Sequence, residues 1–262
     1  AGTIGDAYVF DRNSSSSRLV SHHYANSNQS VGGDPLAIRA DGGKIALRSS
    51  NNGLSTVPVP PSTYGGYVYD TDSATVTTVT VPARQILQGS IGVDVMRLSP
   101  DGSQVFYESS QPDLLPGVRD SNALQDDVVR MTLATSTSTL LSRATRPAPA
   151  ATTGYAYTIT SDLRYVSLSS NSAALVADYL DPYPINPDAY LTDLVTGSTR
   201  LVSHASTSAT TATDNYSVQP RVSADGSRVA FGSAGHNLVP GMTDNGYFDT
   251  FLFDTASGGN SL

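Results

Sequence analysis

Short apolar runs recur along the chain, separated by clusters of Gly, Ser, Thr, Asp and Asn. Runs of this length bounded by turn formers predict β-strands. No stretch holds the apolar spacing of an amphipathic helix, and segment 83–92 has room for one helical turn at most. One run recurs as Asp6-Ala-Tyr-Val-Phe-Asp11, Gly65-Gly-Tyr-Val-Tyr-Asp70, Asp126-Asp-Val-Val-Arg-Met131, Asp188-Ala-Tyr-Leu-Thr-Asp193 and Asp249-Thr-Phe-Leu-Phe-Asp254, with starts 59, 61, 62 and 61 residues apart. A second places Asp41, Asp101, Asp162 and Asp225 before an apolar run, spaced 60, 61 and 63 residues. A third reads Arg18-Leu-Val-Ser-His22, Thr77-Thr-Val-Thr-Val81, Thr139-Leu-Leu-Ser-Arg143 and Arg200-Leu-Val-Ser-His204.

Three runs that keep one order and one period describe a structural repeat. Each repeat reads as four strands. An apolar run precedes each Asp-Gly, which supplies the positive φ of a tight hairpin. The run after it closes the hairpin, the Tyr-Val-Phe run gives a third strand, and the Arg-Leu-Val-Ser run a fourth. Four antiparallel strands at a constant period are one blade of a β-propeller. The expected fold is all-β, one propeller domain with repeats near 6–64, 65–125, 126–187 and 188–248 and a partial one at 249–262. The chain begins and ends near a third strand. Three closures follow: the N-terminal fourth strand completes the last blade, residues 6–22 form half of a fifth blade, or the chain is an excerpt of a longer propeller. An unclosed edge would offer strand pairing to another chain or domain.

Ser99-Pro-Asp-Gly-Ser-Gln-Val-Phe-Tyr107 and Ser223-Ala-Asp-Gly-Ser-Arg-Val-Ala-Phe231, each followed by an aromatic strand ending in Asp, resemble the TolB-like propeller repeat of bacterial proteins. The resemblance covers essentially the whole chain. It implies the fold and not a reaction, since that family spans periplasmic scaffolds, sugar-active enzymes and protease-associated domains. The third repeat departs from it at Asp162-Leu163, where the glycine is missing.

Three long loops between second and third strands carry hard-oxygen side chains: Asp120, Asn122 and Asp126; Asp181 and Asp188; Asp244, Asn245 and Asp249. Ca²⁺ takes six to eight such ligands. Turn formation and strand capping by Asp and Asn account for the same residues. His22 and His204 end equivalent fourth strands and His23 adjoins. Converging imidazoles would bind a transition metal or a ligand, or act as acid and base. Glu108 reads as a solvated lone acid.

Composition narrows the function. Cysteine is absent, which removes disulfides, thiolate catalysis and iron–sulfur clusters. The net charge is −8 with one lysine, Lys44, which argues against nucleic acid and anionic membrane as partners. No apolar run reaches the length of a membrane span. No Gly-x-Ser-x-Gly elbow occurs. Tryptophan is also absent, so Tyr64, Tyr67, Tyr155, Tyr157, Tyr183, Tyr190 and Tyr247 are the candidates for sugar stacking. The expectation is an exported bacterial protein, secreted, periplasmic or at the cell surface. Its leading role is non-catalytic binding or scaffolding of a protein or glycan, with Ca²⁺ stiffening the long loops. The alternative is a glycan-active hydrolase or lyase with a histidine and acid site at the loop face.

Overall fold

The structure, a computed structural model, describes residues 5–60, 63–80, 91–111, 115, 119–120, 126–142, 150–151, 154–243 and 246–262. The chain forms two compact units, Ala1–Pro116 with Val129–Thr139 and Gly117–Val128 with Leu140–Leu262. Among the described residues every regular element is a strand.

In the first unit β1 (Tyr8–Asp11) and β2 (Ser16–Leu19) form a hairpin, and β3 (His22–His23) and β4 (Asn26–Ser30) form a second. A four-stranded antiparallel meander follows: β5 (Asp34–Ile38), β6 (Lys44–Ser49), β7 (Thr63–Asp70) and β8 (Thr75–Thr80). The next meander begins with β9 (Ile91–Leu98) and β10 (Gln104–Ser109). It resumes after β11 (Arg119–Asp120) with β12 (Asp127–Thr132) and β13 (Thr137–Leu140). Parallel contacts Thr63↔Ile91 and Tyr64↔Gly92 join the two meanders into one sheet. In the second unit β14 (Ala150–Ala151) pairs with β11. Two further four-stranded sheets follow. One is β15 (Tyr155–Ile159), β16 (Tyr165–Ser170), β17 (Asp188–Asp193) and β18 (Thr199–Leu201). The other is β19 (Ser217–Val222), β20 (Arg228–Ser233), β21 (Asp249–Asp254) and β22 (Asn260–Ser261).

One aspartate organises the first hairpin of each sheet. Asp225 Oδ1 accepts from Ser223 Oγ at 2.6 Å and from the Ser227 amide at 3.0 Å. Ser99 and Ser103 do the same for Asp101, and Thr160 and the Arg164 amide for Asp162. The first sheet lacks the hydroxyl, and the Arg39 guanidinium takes its place on Asp41. These bonds favour the charged carboxylate, Arg39 holding Asp41 and Ser223 holding Asp225 at about 2. The residue after each aspartate has positive φ: 78° at Gly42, 69° at Gly102, 74° at Gly226 and 61° at Leu163. The hairpin geometry therefore persists where the glycine is missing. A bulge interrupts the pairing of first and second strands in all four meanders.

The third strand has a more regular anchor than the sequence suggests. The amides of Ala7, Val128 and Ala189 each donate to the hydroxyl of Ser21, Ser142 and Ser203 at 2.9–3.0 Å. These serines belong to the Leu-Val-Ser and Leu-Leu-Ser runs. They place Asp6, Asp127 and Asp188 in equivalence, so the third repeat starts its strand at Asp127, one residue beyond the Asp126 assigned from sequence.

Candidate functional site

The long loops of the second unit emerge where β16 and β20 end and β17 and β21 begin. Of the acidic candidates, Asn122, Asp244 and Asn245 lie outside the described residues, and Asp120 is described in its backbone alone. Asp126 and Asp249 are half-buried, while Asp188 is buried at the first position of β17. Its Oδ1 accepts from Ser203 Oγ at 2.8 Å and its Oδ2 from the Tyr179 hydroxyl at 2.5 Å. Burial dominates those bonds and, with the nearby charge of Asp181, pushes the Asp188 carboxyl up to about 7. Asp181 Oδ1 accepts the Tyr183 amide at 2.7 Å in a local turn. Asp181 Oδ2 is buried without a hydrogen-bond partner. An orphaned carboxylate oxygen near a second buried carboxyl is the hard-oxygen chemistry that Ca²⁺ accepts. The two acids are a partial ligand set. No group of three His, Cys, Asp or Glu side chains that could hold a metal ion occurs among the described residues.

The histidines at the ends of the fourth strands pack against aromatics. His22 meets Tyr69 edge-on at 5.7 Å, and His204 meets Phe253 the same way at 5.9 Å. Both are buried. His204 Nδ1 and Nε2 each lie 2.9 Å from a backbone carbonyl, that of Ala205 and of Gly258. Neither nitrogen presents an open lone pair. His23 stacks on Tyr24 and accepts the Ala25 amide at Nδ1. His22 also lines a cleft of about 470 Å³ with Arg18, Asn28 and Tyr69. A larger cleft of about 670 Å³ in the same unit is lined by Phe10, Arg12, Arg18, Ile38, Arg39 and Asp72. Glu108 is buried rather than solvated, because its position near the end of β10 lies inside the sheet.

Two of the tyrosines named for stacking are core residues: Tyr67 and Tyr190, each the first residue of its Tyr-Val-Phe-type run, are fully buried, Tyr67 packed with Ile45 and Leu47 and Tyr190 with Leu168 and Leu175. The surface shelf is elsewhere. Tyr216 and Phe248 lie 5.0 Å apart at 51°, and Tyr247 beside them is 75% exposed. Gly232 in β20 makes room for this shelf, since a Cβ there would lie 2.7 Å from Phe248 Cε1. The loop that carries Tyr216 is tied to the exit of β20. The Ala234 amide donates to the Tyr216 carbonyl at 3.2 Å, and the His236 amide to Asp214 Oδ1 at 2.7 Å. The His236 ring faces Asp214 at 3.4 Å. Asn237 Oδ1 accepts from Thr213 and from the Asp214 amide. Exposed rings therefore share one pair of loops with a carboxylate, an imidazole and amides. Sequence reasoning named Tyr247 but not Tyr216 or Phe248, because their neighbourhood depends on loops distant in sequence.

No family model matches the chain, and no curated protein matches it in sequence. Solved structures do. TolB from Acinetobacter baumannii matches with a TM-score of 0.50 at 16% identity, over 98% of this chain and 48% of that one. The tricorn protease matches with a TM-score of 0.52 at 13% identity, over 95% of this chain and 20% of that one. The β-propeller domain of the trilobed protease from Pyrococcus furiosus matches with a TM-score of 0.51 at 10% identity, over 95% and 61%. The chain spans less than two thirds of the length of each. At such identities the likeness carries architecture alone, and that architecture is the TolB-like β-propeller fold.

Proposed function

We propose that this chain is an exported, non-catalytic binding module that takes a glycan on the loop end of its second unit. The observation that carries this reading is the exposed ring pair of Tyr216 and Phe248, with exposed Tyr247 next in sequence, on the loops that hold Asp214, Asn215 and His236. A sugar ring has an apolar face that stacks on aromatic rings and hydroxyls that need hydrogen-bonding partners at the rim. Export accords with the acidic, cysteine-free composition. Calcium belongs to the same reading as a stiffener of loop 176–188, with Asp181 and Asp188 as the carboxylates it would take.

The second reading, a glycan-active hydrolase or lyase, draws on one feature, the Asp214–His236 pair beside the shelf. Hydrolysis of a glycosidic bond ordinarily needs two carboxyl groups flanking it. Asp214 supports this reading as one such acid. The test incubates the protein with an array of labelled oligosaccharides and then analyses the retained sugars. Retention of intact sugars, lost in the Tyr216→Ala/Phe248→Ala double variant, is the expected result. Shortened or unsaturated products that disappear in His236→Ala would replace binding with catalysis.

A further inference from the structure

Two histidine joints, one in each unit, are built alike up to a single bond. In the second unit the Arg200 guanidinium donates to the Thr255 carbonyl at 2.9 Å. The His204 ring meets Phe253 edge-on with its Nδ1 on the Ala205 carbonyl. In the first unit Arg18 donates to the Thr71 carbonyl at 2.8 Å. The His22 ring meets Tyr69 edge-on with its Nδ1 3.1 Å from the His23 carbonyl.

The joints part at Nε2. That of His204 lies on the Gly258 carbonyl. Ala74 holds the place of Gly258 in the first unit, with φ 53° against 71°. Among the described residues, however, no hydrogen bond reaches His22 Nε2. His22 and Ala74 instead line the cleft of about 470 Å³. A carbonyl only accepts, so the neutral His22 ring carries its proton on Nδ1 and keeps a lone pair at Nε2. Tyr69, which also lines the cleft, replaces Phe253 and adds a hydroxyl. That hydroxyl is buried without a hydrogen-bond partner. Such a group is costly to leave unmatched, and its partner is not supplied by the fold.

The rest of the lining favours an anion. Arg18 and Asn28 bring donors, and no carboxylate stands among the described lining residues, in a chain with 23 acids and a net charge of −8. Asp11 feels the charge of Arg18 but holds its oxygens on the Asn13 amide and the Ser14 hydroxyl in its own turn. A guanidinium with one nitrogen already anchored is pre-organised to receive a carboxylate. Leu19 and Ala74 add apolar wall. The volume is that of a small-molecule site and exceeds what an inorganic anion fills.

We propose that this cleft binds a small hydroxycarboxylic acid. Its carboxylate lies on Arg18 and Asn28, one hydroxyl donates to His22 Nε2, and the Tyr69 hydroxyl gains the partner it lacks. The site is independent of the aromatic rings on the loops of the second unit.

Saturation-transfer NMR with gluconate, malate and citrate as probes tests it. Sorbitol keeps the hydroxyls of gluconate without the carboxylate, and hexanoate keeps a carboxylate without hydroxyls. Wild type is expected to bind at least one of the three acids and to prefer it about tenfold or more over either control. Arg18→Gln should weaken that acid about 10- to 100-fold. Tyr69→Phe, which copies the second unit, should weaken it about two- to tenfold. It should do so at an unchanged or higher Tm, since it deletes an unpaired buried hydroxyl. The Tyr216→Ala/Phe248→Ala variant should bind the acid as wild type does. A melt of each variant checks its fold, and Asn28→Ala, at an exposed position, replaces Arg18→Gln if that melt is depressed. No binding of any of the three acids at millimolar concentration would overturn the proposal. So would sorbitol or inorganic phosphate competing on equal terms, wild-type binding in both Arg18→Gln and Tyr69→Phe, or binding lost with Tyr216 and Phe248.

Discussion

Gly226 and Leu163 occupy the same turn position in the two sheets of the second unit, and exchanging their chemistry tests the account of the hairpin. Gly226→Ala places an L-residue at φ 74°, which costs about 1–2 kcal/mol. The new Cβ would meet Tyr165 Cδ2 at 2.7 Å, and such overpacking adds about 1–3 kcal/mol. Reduced freedom of the unfolded chain returns about 0.4–1 kcal/mol. The three ranges combine to a loss of about 1–4.6 kcal/mol, centred near 2–3 kcal/mol. For a chain of this size that lowers Tm by roughly 4–12 °C. Leu163→Gly runs the other way: it releases about 1–2 kcal/mol of left-handed strain at φ 61°. Against this stand about 0.4–1 kcal/mol of unfolded-state entropy and the partial packing of a half-buried leucine. The result is close to neutral, whereas truncating a buried leucine ordinarily costs about 2–5 kcal/mol. Urea unfolding followed by far-ultraviolet circular dichroism measures both. A Gly226→Ala variant as stable as wild type, or a Leu163→Gly variant that loses more than about 2 kcal/mol, would refute the reasoning, since both numbers rest on the same φ.

Three further outcomes follow from the buried carboxyl. Asp188 is held near 7 by burial, above its ordinary value of about 3.9, so between those values the folded chain binds more protons than the unfolded one. Its contribution to stability is present below the lower value and fades as pH rises through the upper, with a slope of up to about 1.4 kcal/mol per pH unit; Asp188→Asn should flatten the pH dependence of urea midpoints between pH 5 and 8, and an unaltered slope would contradict the assignment. Ser203→Ala removes the hydroxyl that serves both the Ala189 amide and Asp188, so a loss of about 1–3 kcal/mol is expected in the same assay. Calcium competes with the proton for a carboxylate, so Ca²⁺ after EDTA should raise Tm more at pH 8 than at pH 6 and fail to do so in Asp181→Asn; a melt unmoved by calcium at both pH values would leave Asp181 and Asp188 as structural acids.

The parts of this fold that recur are the parts the sequence makes legible. Asp41, Asp101, Asp162 and Asp225 announce their hairpins because the interaction is local: the partners of each carboxylate lie two residues away. The same holds for the turns after third strands, where Asp70, Asp193 and Asp254 accept amides two and three residues on. Periodicity alone could not fix the third repeat, where Asp126 and Asp127 are adjacent and only the Ser142 bond to the Val128 amide selects the register. Nor could it separate Tyr67 and Tyr190, which are buried, from Tyr247, which is exposed. Burial at those positions depends on which sheet packs where. The histidines were visible as a repeated pair, yet their packing on Tyr69 and Phe253 arises from residues about 50 positions further along the chain. The shelf of Tyr216 and Phe248 was illegible for the same reason, since 32 residues separate the two rings.

The most direct test of the binding assignment is the oligosaccharide array read twice, once for retention and once for the chemical state of what is retained. The account predicts that wild type holds a set of sugars without altering them, that the Tyr216→Ala/Phe248→Ala variant releases them at unchanged Tm, and that His236→Ala still leaves them intact. Retention unchanged in the double variant, or cleavage of the bound sugar by wild type, would contradict it.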